Sequence, residues 1–156
     1  MNNKINIRAA LENDYQFIYE LSPRLAEVAN LAWHSEEVIQ TMQDGYINAV
    51  LNDTSVPFTL LIAEDNETSL GFIHVKEHND EISNEACAMV TLLAVSPVAQ
   101  GRGVGKLLMQ AAERWTKQQG CRLLHLEVFA NNDNAQGFYN NLGFKPEMMT
   151  MVKALQ

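Results

Sequence analysis

Apolar and polar positions alternate at the start of the chain. Ile5, Ile7 and Ala9 are separated by Asn6 and Arg8, the period-two pattern of a half-buried strand. The period then lengthens: Asn13 or Asp14 is placed to cap a helix whose apolar face is Phe17, Ile18 and Leu21, and Ser22-Pro23 interrupts it. Residues 21–34 read as loop, helix or both. Ser35, with Glu36 and Glu37 in the next turn, predicts a second helix to about Leu51 that carries Val38, Met42, Ile47 and Val50. Pro57–Ala63 is a continuous apolar strand, Glu64–Glu67 a polar turn, and Ser69–Val75 the returning strand of a hairpin, before a charged loop at His78–Asn84.

The densest pattern runs from Glu85 to Trp115. An apolar run, Met89–Val95, is followed by a turn at Ser96-Pro97 and by the glycine-spaced segment Gln100-Gly101-Arg102-Gly103-Val104-Gly105. Val104, Leu107, Leu108, Ala111 and Trp115 then recur at i, i+3, i+4, i+7 and i+11, one stripe of a helix. A strand, a glycine loop and a helix in that order aim several backbone N–H groups at one spot. The first-turn N–H groups lack intrahelical acceptors, and the aligned peptide dipoles put partial positive charge there. Glycines keep side chains out of the way, so the segment reads as a pyrophosphate cradle.

Beyond that helix, Gly120 supplies a stop signal, Leu123–Phe129 a further strand, and Asn131-Asn132-Asp133-Asn134 a cluster of turn and cap residues. Ala135, Phe138, Tyr139 and Leu142 share one face of a short helix ended by Gly143, and Phe144–Val152 reads as a last strand or a hairpin of two. The order β-α-α-β-β-β-α-β-α-β is a mixed α/β pattern (α+β in its antiparallel part) with hairpins early and one β-α-β crossover late.

Composition narrows the function classes. A chain of 156 residues buries a sizeable core without disulfides or metals and reads as a single domain over residues 1–156. The net charge of −8 argues against general nucleic-acid binding and suits a cationic partner. No apolar run approaches the length of a membrane span, and Met1–Lys4 leads into no signal-type apolar core, so no membrane partner and a cytoplasmic location are expected. Cys87 and Cys121 sit in apolar runs and read as buried thiols. His74 and His78 with Asp80 or Glu81 lack ligand spacing, so no metal is expected.

The glycine loop fails the two commonest phosphate motifs. A nucleotide-triphosphate loop needs a glycine where Gln100 stands and a hydroxyl where Leu107 stands; a dinucleotide fingerprint needs a glycine at Lys106. It does match Q/R-x-x-G-x-G/A through Gln100, Gly103 and Gly105, and Asn132-x-x-Ala135-x-x-Phe138-Tyr139-x-x-x-Gly143-Phe144 supplies a second pattern in the right order. With both, the chain resembles the GNAT superfamily of acetyl-CoA-dependent N-acetyltransferases over nearly its whole length.

That resemblance implies acetyl-CoA as co-substrate and no metal. It implies an N-acetyltransferase that moves acetyl to a primary amine by direct attack in a ternary complex; the acceptor would be a small molecule or a peptide. The same fold as a non-catalytic acyl-CoA-binding or sensing module is the alternative. The cofactor residues it implies are Gln100, Gly101, Arg102, Gly103, Val104, Gly105 and Lys106 at the phosphates and Asn132 at the pantetheine arm. The backbones of Leu93 and Val95 would serve the acyl carbonyl and the pantetheine amides, on a strand splayed by a bulge. Tyr139 is implied as the acid that protonates the leaving thiolate. A base is needed too, because alkyl amines have a pKa near 10.4 and fewer than about one molecule in 10³ is neutral at pH 7. Met89 stands where some members carry a glutamate, which leaves Glu127 and Glu85 as carboxylate candidates beside His34, His74 and His78. Trp33, His34 and Tyr46 are candidates to line the acceptor pocket, and Met148, Met149, Met151 and Val152 suit a homodimer contact.

Overall fold

The alternating start of the chain forms β1 (Asn6–Ala9), the outer strand of a five-stranded sheet. The computed structural model describes residues 4–27 and 31–155, with side chains for all but 26 and 27. β2 (Phe58–Asp65), β3 (Thr68–Asn79) and β4 (Ala86–Val95) follow, each antiparallel to its predecessor. β5 (Leu124–Leu126) joins β4 in parallel, a step that needs a crossover, and α4 (Val104–Gln118) supplies it. With α1 (Tyr15–Leu21), α2 (Arg24–Glu27), α3 (Glu36–Asn52) and α5 (Asp133–Asn141), the order is the mixed α/β one read from the sequence, with a third helix before β2 and without the last strand.

Each face of the sheet buries its own apolar cluster. Ile73, Val75 and Val90 pack with Leu108 and Met109 of α4 on one side. Ile62, Phe72 and Leu92 pack with Ile18 of α1 and Ile47 of α3 on the other. Each such side chain, fully buried, stabilises the fold by about 1.5–3 kcal/mol, which is why the sheet holds β4 rigidly from both sides.

Local signals are obeyed at the start of α3, past α4 and α5, and in the β2–β3 turn. The Ser35 hydroxyl accepts from the Val38 N–H at 3.2 Å and caps α3. Gly120 and Gly143 take left-handed φ angles of 79° and 96° just past α4 and α5. The β2–β3 turn has positive φ at Asn66 and Glu67, as a two-residue hairpin turn requires.

Several expectations are corrected. Neither Asn13 nor Asp14 caps α1; Asp14 instead accepts from Arg8 at 2.7 and 2.9 Å and from the Leu11 N–H at 2.7 Å, tying α1's entry to β1. Val38 and Met42 are about half exposed, and α3 buries Ile39 and Gln43 in their place, so the first half of the stripe is turned by one residue, while Ile47 and Val50 are buried as expected. In α4 the buried stripe is wider and includes Met109 and Ala112, while Leu107 and Trp115 are only half-buried. Cys121 is half-buried as well, unlike Cys87. β3 runs on to Asn79, and β4 begins at Ala86, three residues before the expected start. The strand expected over Leu123–Phe129 is limited to Leu124–Leu126, and residues 144–152 form no strand. One cause underlies both shortfalls: β4 turns away after Val90, so β5 has only three ladder positions and offers little edge for another strand. In the uncertain stretch 21–34, α2 and a turn at 32–33 are present, and 28–30 lie outside the described residues.

Candidate functional site

The gap in the sheet begins at Thr91. His74 faces Leu92 and Val75 faces Val90 across β3–β4, so Thr91 is the extra residue of a β-bulge on β4. β5 pairs with β4 only as far as Val90, so among the described residues no strand pairs the β5-facing edge of β4 over residues 91–95, Leu93 and Val95 included. The bulge is pinned by a side chain. Thr91 Oγ1 donates to the His74 carbonyl at 3.2 Å and lies 2.5 Å from His74 Nδ1. With its one proton used, Thr91 accepts from Nδ1–H, leaving Nε2 as a buried lone pair without a partner among the described residues. Burial, aided by Lys76, lowers the His74 pKa to about 4, so the ring is neutral at pH 7.

The open edge leads directly to the glycine loop. A 3-10 turn, Pro97–Ala99, turns the chain, and Gly101 and Gly103 take left-handed φ angles of 82° and 78°. No side chain caps α4, and the first N–H bonded within it is that of Leu107, to the Gly103 carbonyl at 3.1 Å. The N–H groups of Val104, Gly105 and Lys106 are therefore left for a ligand. A Cβ added at Gly101 or Gly103 would meet nothing within 4 Å, so the loop opens outward. These are the properties an anion cradle needs.

Two other glycines serve packing. At Gly105 a Cβ would lie 3.3 Å from the Phe138 ring, so α5 sits against the first turn of α4. At Gly71 it would lie 2.7 Å from the Ala94 carbonyl oxygen, so β3 admits β4 closely where the loop departs. Of the two cations at the loop, Arg102 is bound to Asp65 of the β2–β3 hairpin at 2.7 Å, and Lys106 is exposed. Gln100 lines a cleft of about 170 Å³ with Leu93, Ala94 and Val95 of β4 and Arg24 and Leu25 of α2.

α5 brings the second motif to the same place. The Asn132 side chain accepts from the Ala135 N–H at 3.1 Å and caps α5, leaving its amide N–H₂ for other use. Tyr139 stands edge-on between Phe138 and Phe144, with ring centroids 5.2 and 5.8 Å away, and packs in the apolar cluster that includes Leu93 and Val95. Burial pushes its phenol up to about 12. Glu127 is exposed on the first residue past β5, on the far lip of the gap. The Tyr46 phenol on α3 is raised chiefly by burial and further by the charge of Glu127.

Glu85 is not brought to these groups. It bonds Arg122 at 2.5 and 2.9 Å, which together with Ser83 holds its carboxyl below the usual range, and it precedes β4 at the end remote from Val95. The ten residues of β4 separate the two by roughly 30 Å. His34 and Trp33 are exposed beside the start of α3. Asp80 accepts from Ser83 and meets His125 and Glu147, with one donor atom of each within 4.8 Å of the others. That juxtaposition, like the Thr91–His74 pair and Gln43, leaves no trace in sequence spacing; Gly71, a glycine inside a strand pattern, was the one advance sign of close backbone approach.

Comparison with known proteins agrees with this geometry. The family model described as "Acetyltransferase (GNAT) family" matches residues 15–144. The mycothiol acetyltransferase of Rhodococcus jostii is 31% identical over 124 residues, covering 75% of this chain and 39% of that protein. That of Nocardia farcinica is 32% identical over 135 residues, covering 83% and 44%. The chain thus spans about two fifths of the length of the curated relatives it matches. A candidate acetyl transferase from Pyrococcus furiosus has the same fold, with a TM-score of 0.80 at 21% identity over 97% of this chain and 100% of that one. So has the aminoglycoside N-acetyltransferase AAC(6')-Iy in complex with CoA, with a TM-score of 0.72 at 18% identity over 100% and 97%.

Proposed function

Because the chain belongs to the GNAT family of acetyltransferases, we propose that it transfers acetyl from acetyl-CoA to a primary amine by direct attack within a ternary complex. The observation that carries this reading is the continuous path from the unpaired edge of β4 (residues 91–95) to the uncapped N-terminus of α4. An extended amide-bearing chain can pair with the former while its phosphates occupy the latter. Gly101, Gly103 and the N–H groups of Val104, Gly105 and Lys106 hold the pyrophosphate, with Gln100 beside them. The backbones of Leu93 and Val95 serve the pantetheine arm and the acyl carbonyl, and Asn132 offers its free amide N–H₂ to the arm.

Acetyl-CoA supplies the thioester. The amine nitrogen bonds to the carbonyl carbon, the C–S bond breaks, and the sulfur leaves with the electron pair. Tyr139 gives that sulfur a proton. Its phenol, pushed up to about 12 by burial, is fully protonated at neutral pH and so available as the acid. Glu127, on the opposite lip, takes the ammonium proton before attack, directly or through water, and the second proton that the nitrogen sheds once the C–N bond has formed restores the Tyr139 phenol. The Arg102–Asp65 ion pair anchors the loop to the β2–β3 hairpin beside the phosphates, and Glu85 serves structure at the other end of β4.

The relatives described above are named for mycothiol and for aminoglycosides; for this chain the acceptor is proposed to be a small-molecule amine. Met148, Met149, Met151 and Val152 remain exposed, which supports self-association as a homodimer, read out by light scattering. The test of function pairs calorimetry of acetyl-CoA binding with thiol release across a panel of primary amines. Thiol release matched by acetylated amine is the expected result. Binding without release for every amine would favour the sensing module, and no binding would remove both readings.

A further inference from the structure

The buried stripe of α3 is apolar at every turn but one. Ile39 packs with Leu31 and with Phe129, on the segment that follows β5. Ile47 and Val50 pack in the separate cluster that includes Leu92 and Ala94 of β4. Gln43 lies between them, one turn from each, so α3 presents an amide over the seam where β4 and the post-β5 segment part. Gln43 is 8% exposed, yet among the described residues its side-chain amide has no hydrogen-bond partner. It is not sealed in either: among the described residues the unpartnered side-chain atom closed off from solvent is His74 Nε2, so water still reaches the Gln43 amide.

An amide left this way depends on water or on a ligand for its hydrogen bonds. In a helix stripe whose other members are Ile39, Ile47 and Val50, a leucine would pack without that need. Tyr46, one turn along and roughly 5–6 Å away at Cβ, adds a phenol beside it. Phe129, which Ile39 touches, lies two residues beyond Glu127, so the segment that follows β5 runs alongside α3 there, and the Tyr46 phenol feels the charge of Glu127.

We propose that Gln43, Tyr46 and Glu127 form the acceptor subsite, and that it takes a small amine bearing hydroxyl groups close to the amino group. The proposal rests on the acetyltransferase reading above. Gln43 offers one acceptor and two donors without charge, a match for hydroxyl groups and a mismatch for bare hydrocarbon. Glu127 draws the ammonium to the lip from which its proton is removed. An alkylamine of the same length strips water from Gln43 and returns no hydrogen bond, so it is selected against.

The test compares 3-amino-1,2-propanediol with butylamine by acetyl-CoA-dependent thiol release. The wild-type chain is expected to prefer the diol by roughly tenfold or more in kcat/KM. Gln43→Leu should cut that preference by about tenfold while the acetyl-CoA Kd stays unchanged, and taking a ratio cancels amine basicity. Gln43→Met, nearly isosteric and unbranched, serves if the leucine variant does not fold. Tyr46→Phe should raise KM for the diol with little change for butylamine. Wild-type turnover with the preference unchanged in both Gln43 variants overturns the subsite and leaves the acetyltransferase reading standing. No turnover of any amine by the wild type overturns that reading, and the subsite with it.

Discussion

Gly103→Asp and Gly103→Asn separate charge from shape at the loop. Gly103 has φ 78° and ψ 16°, a conformation that costs a residue with a Cβ roughly 1 kcal/mol, least for Asn and Asp. A Cβ there meets nothing within 4 Å, so no clash adds to that strain. Both variants should therefore lose similar stability, seen as about 2–4 °C in Tm for a chain of this size. The charge acts only on the ligand. A carboxylate about 4 Å from a phosphate oxygen is repelled by about 4 kcal/mol at an effective dielectric constant of 20. Position 103 is exposed, and solvent screening roughly halves this. A residue of about 2 kcal/mol weakens acetyl-CoA binding roughly 30-fold in Gly103→Asp relative to Gly103→Asn. The second phosphate adds to the difference, and salt shrinks it. Calorimetric Kd values at low and high salt, with circular dichroism as the folding control, measure both. Equal Kd values for the two variants would refute a pyrophosphate at this loop.

Three further outcomes are expected. Tyr139→Phe should slow single-turnover transfer by about 10²–10⁴-fold with little change in Tm or acetyl-CoA Kd; because the phenol is pushed up to about 12, it stays protonated as pH rises, and no loss of the acid should appear below about that pH. A wild-type single-turnover rate would end its role as the acid. Gly71→Ala drives a methyl to 2.7 Å from the Ala94 carbonyl oxygen and should cost about 1–3 kcal/mol, measured by urea unfolding, and weaken acetyl-CoA binding as the loop is displaced; full stability would show that the strands can part there. His74 binds its proton at about 4 when folded and near 6.5 when unfolded, so the unfolded chain holds the extra proton between those values. Stability is then full above about 6.5 and falls as pH drops towards 4, by up to about 3 kcal/mol, and His74→Gln should flatten that slope in urea midpoints taken across the window.

Much of the site was legible in the residues themselves. The Gln100–Gly105 loop, the capping Asn132 and the stripe holding Phe138 and Tyr139 depend on contacts within a turn or two of helix, where side-chain spacing and backbone angle decide the outcome. Gly103 needs its left-handed φ whatever lies opposite. Ser35 caps α3 because its own hydroxyl reaches the N–H three residues on. Such features are written in adjacent positions, and a sequence displays adjacent positions directly.

What lay across the sheet was decided only by folding. β5 was expected to run seven residues and forms three, because the length of a ladder is set by where its neighbour bends, and β4 bends at Thr91. Arg102 reads as a phosphate cation but pairs with Asp65, and Glu85 reads as a base but pairs with Arg122; in each case the two partners lie 37 positions apart. The first half of the α3 stripe rotates by one residue because helical periodicity leaves the facing side open to choice among neighbouring positions, and packing makes the choice. That rotation exposes Val38 and Met42 and turns Gln43 inward. Local propensity specified the loop, the caps and the fold class, since these cost or gain energy residue by residue. The opening between β4 and β5, and the side chains that face it, came from long-range packing, where the free energy belongs to pairs that the linear order keeps apart.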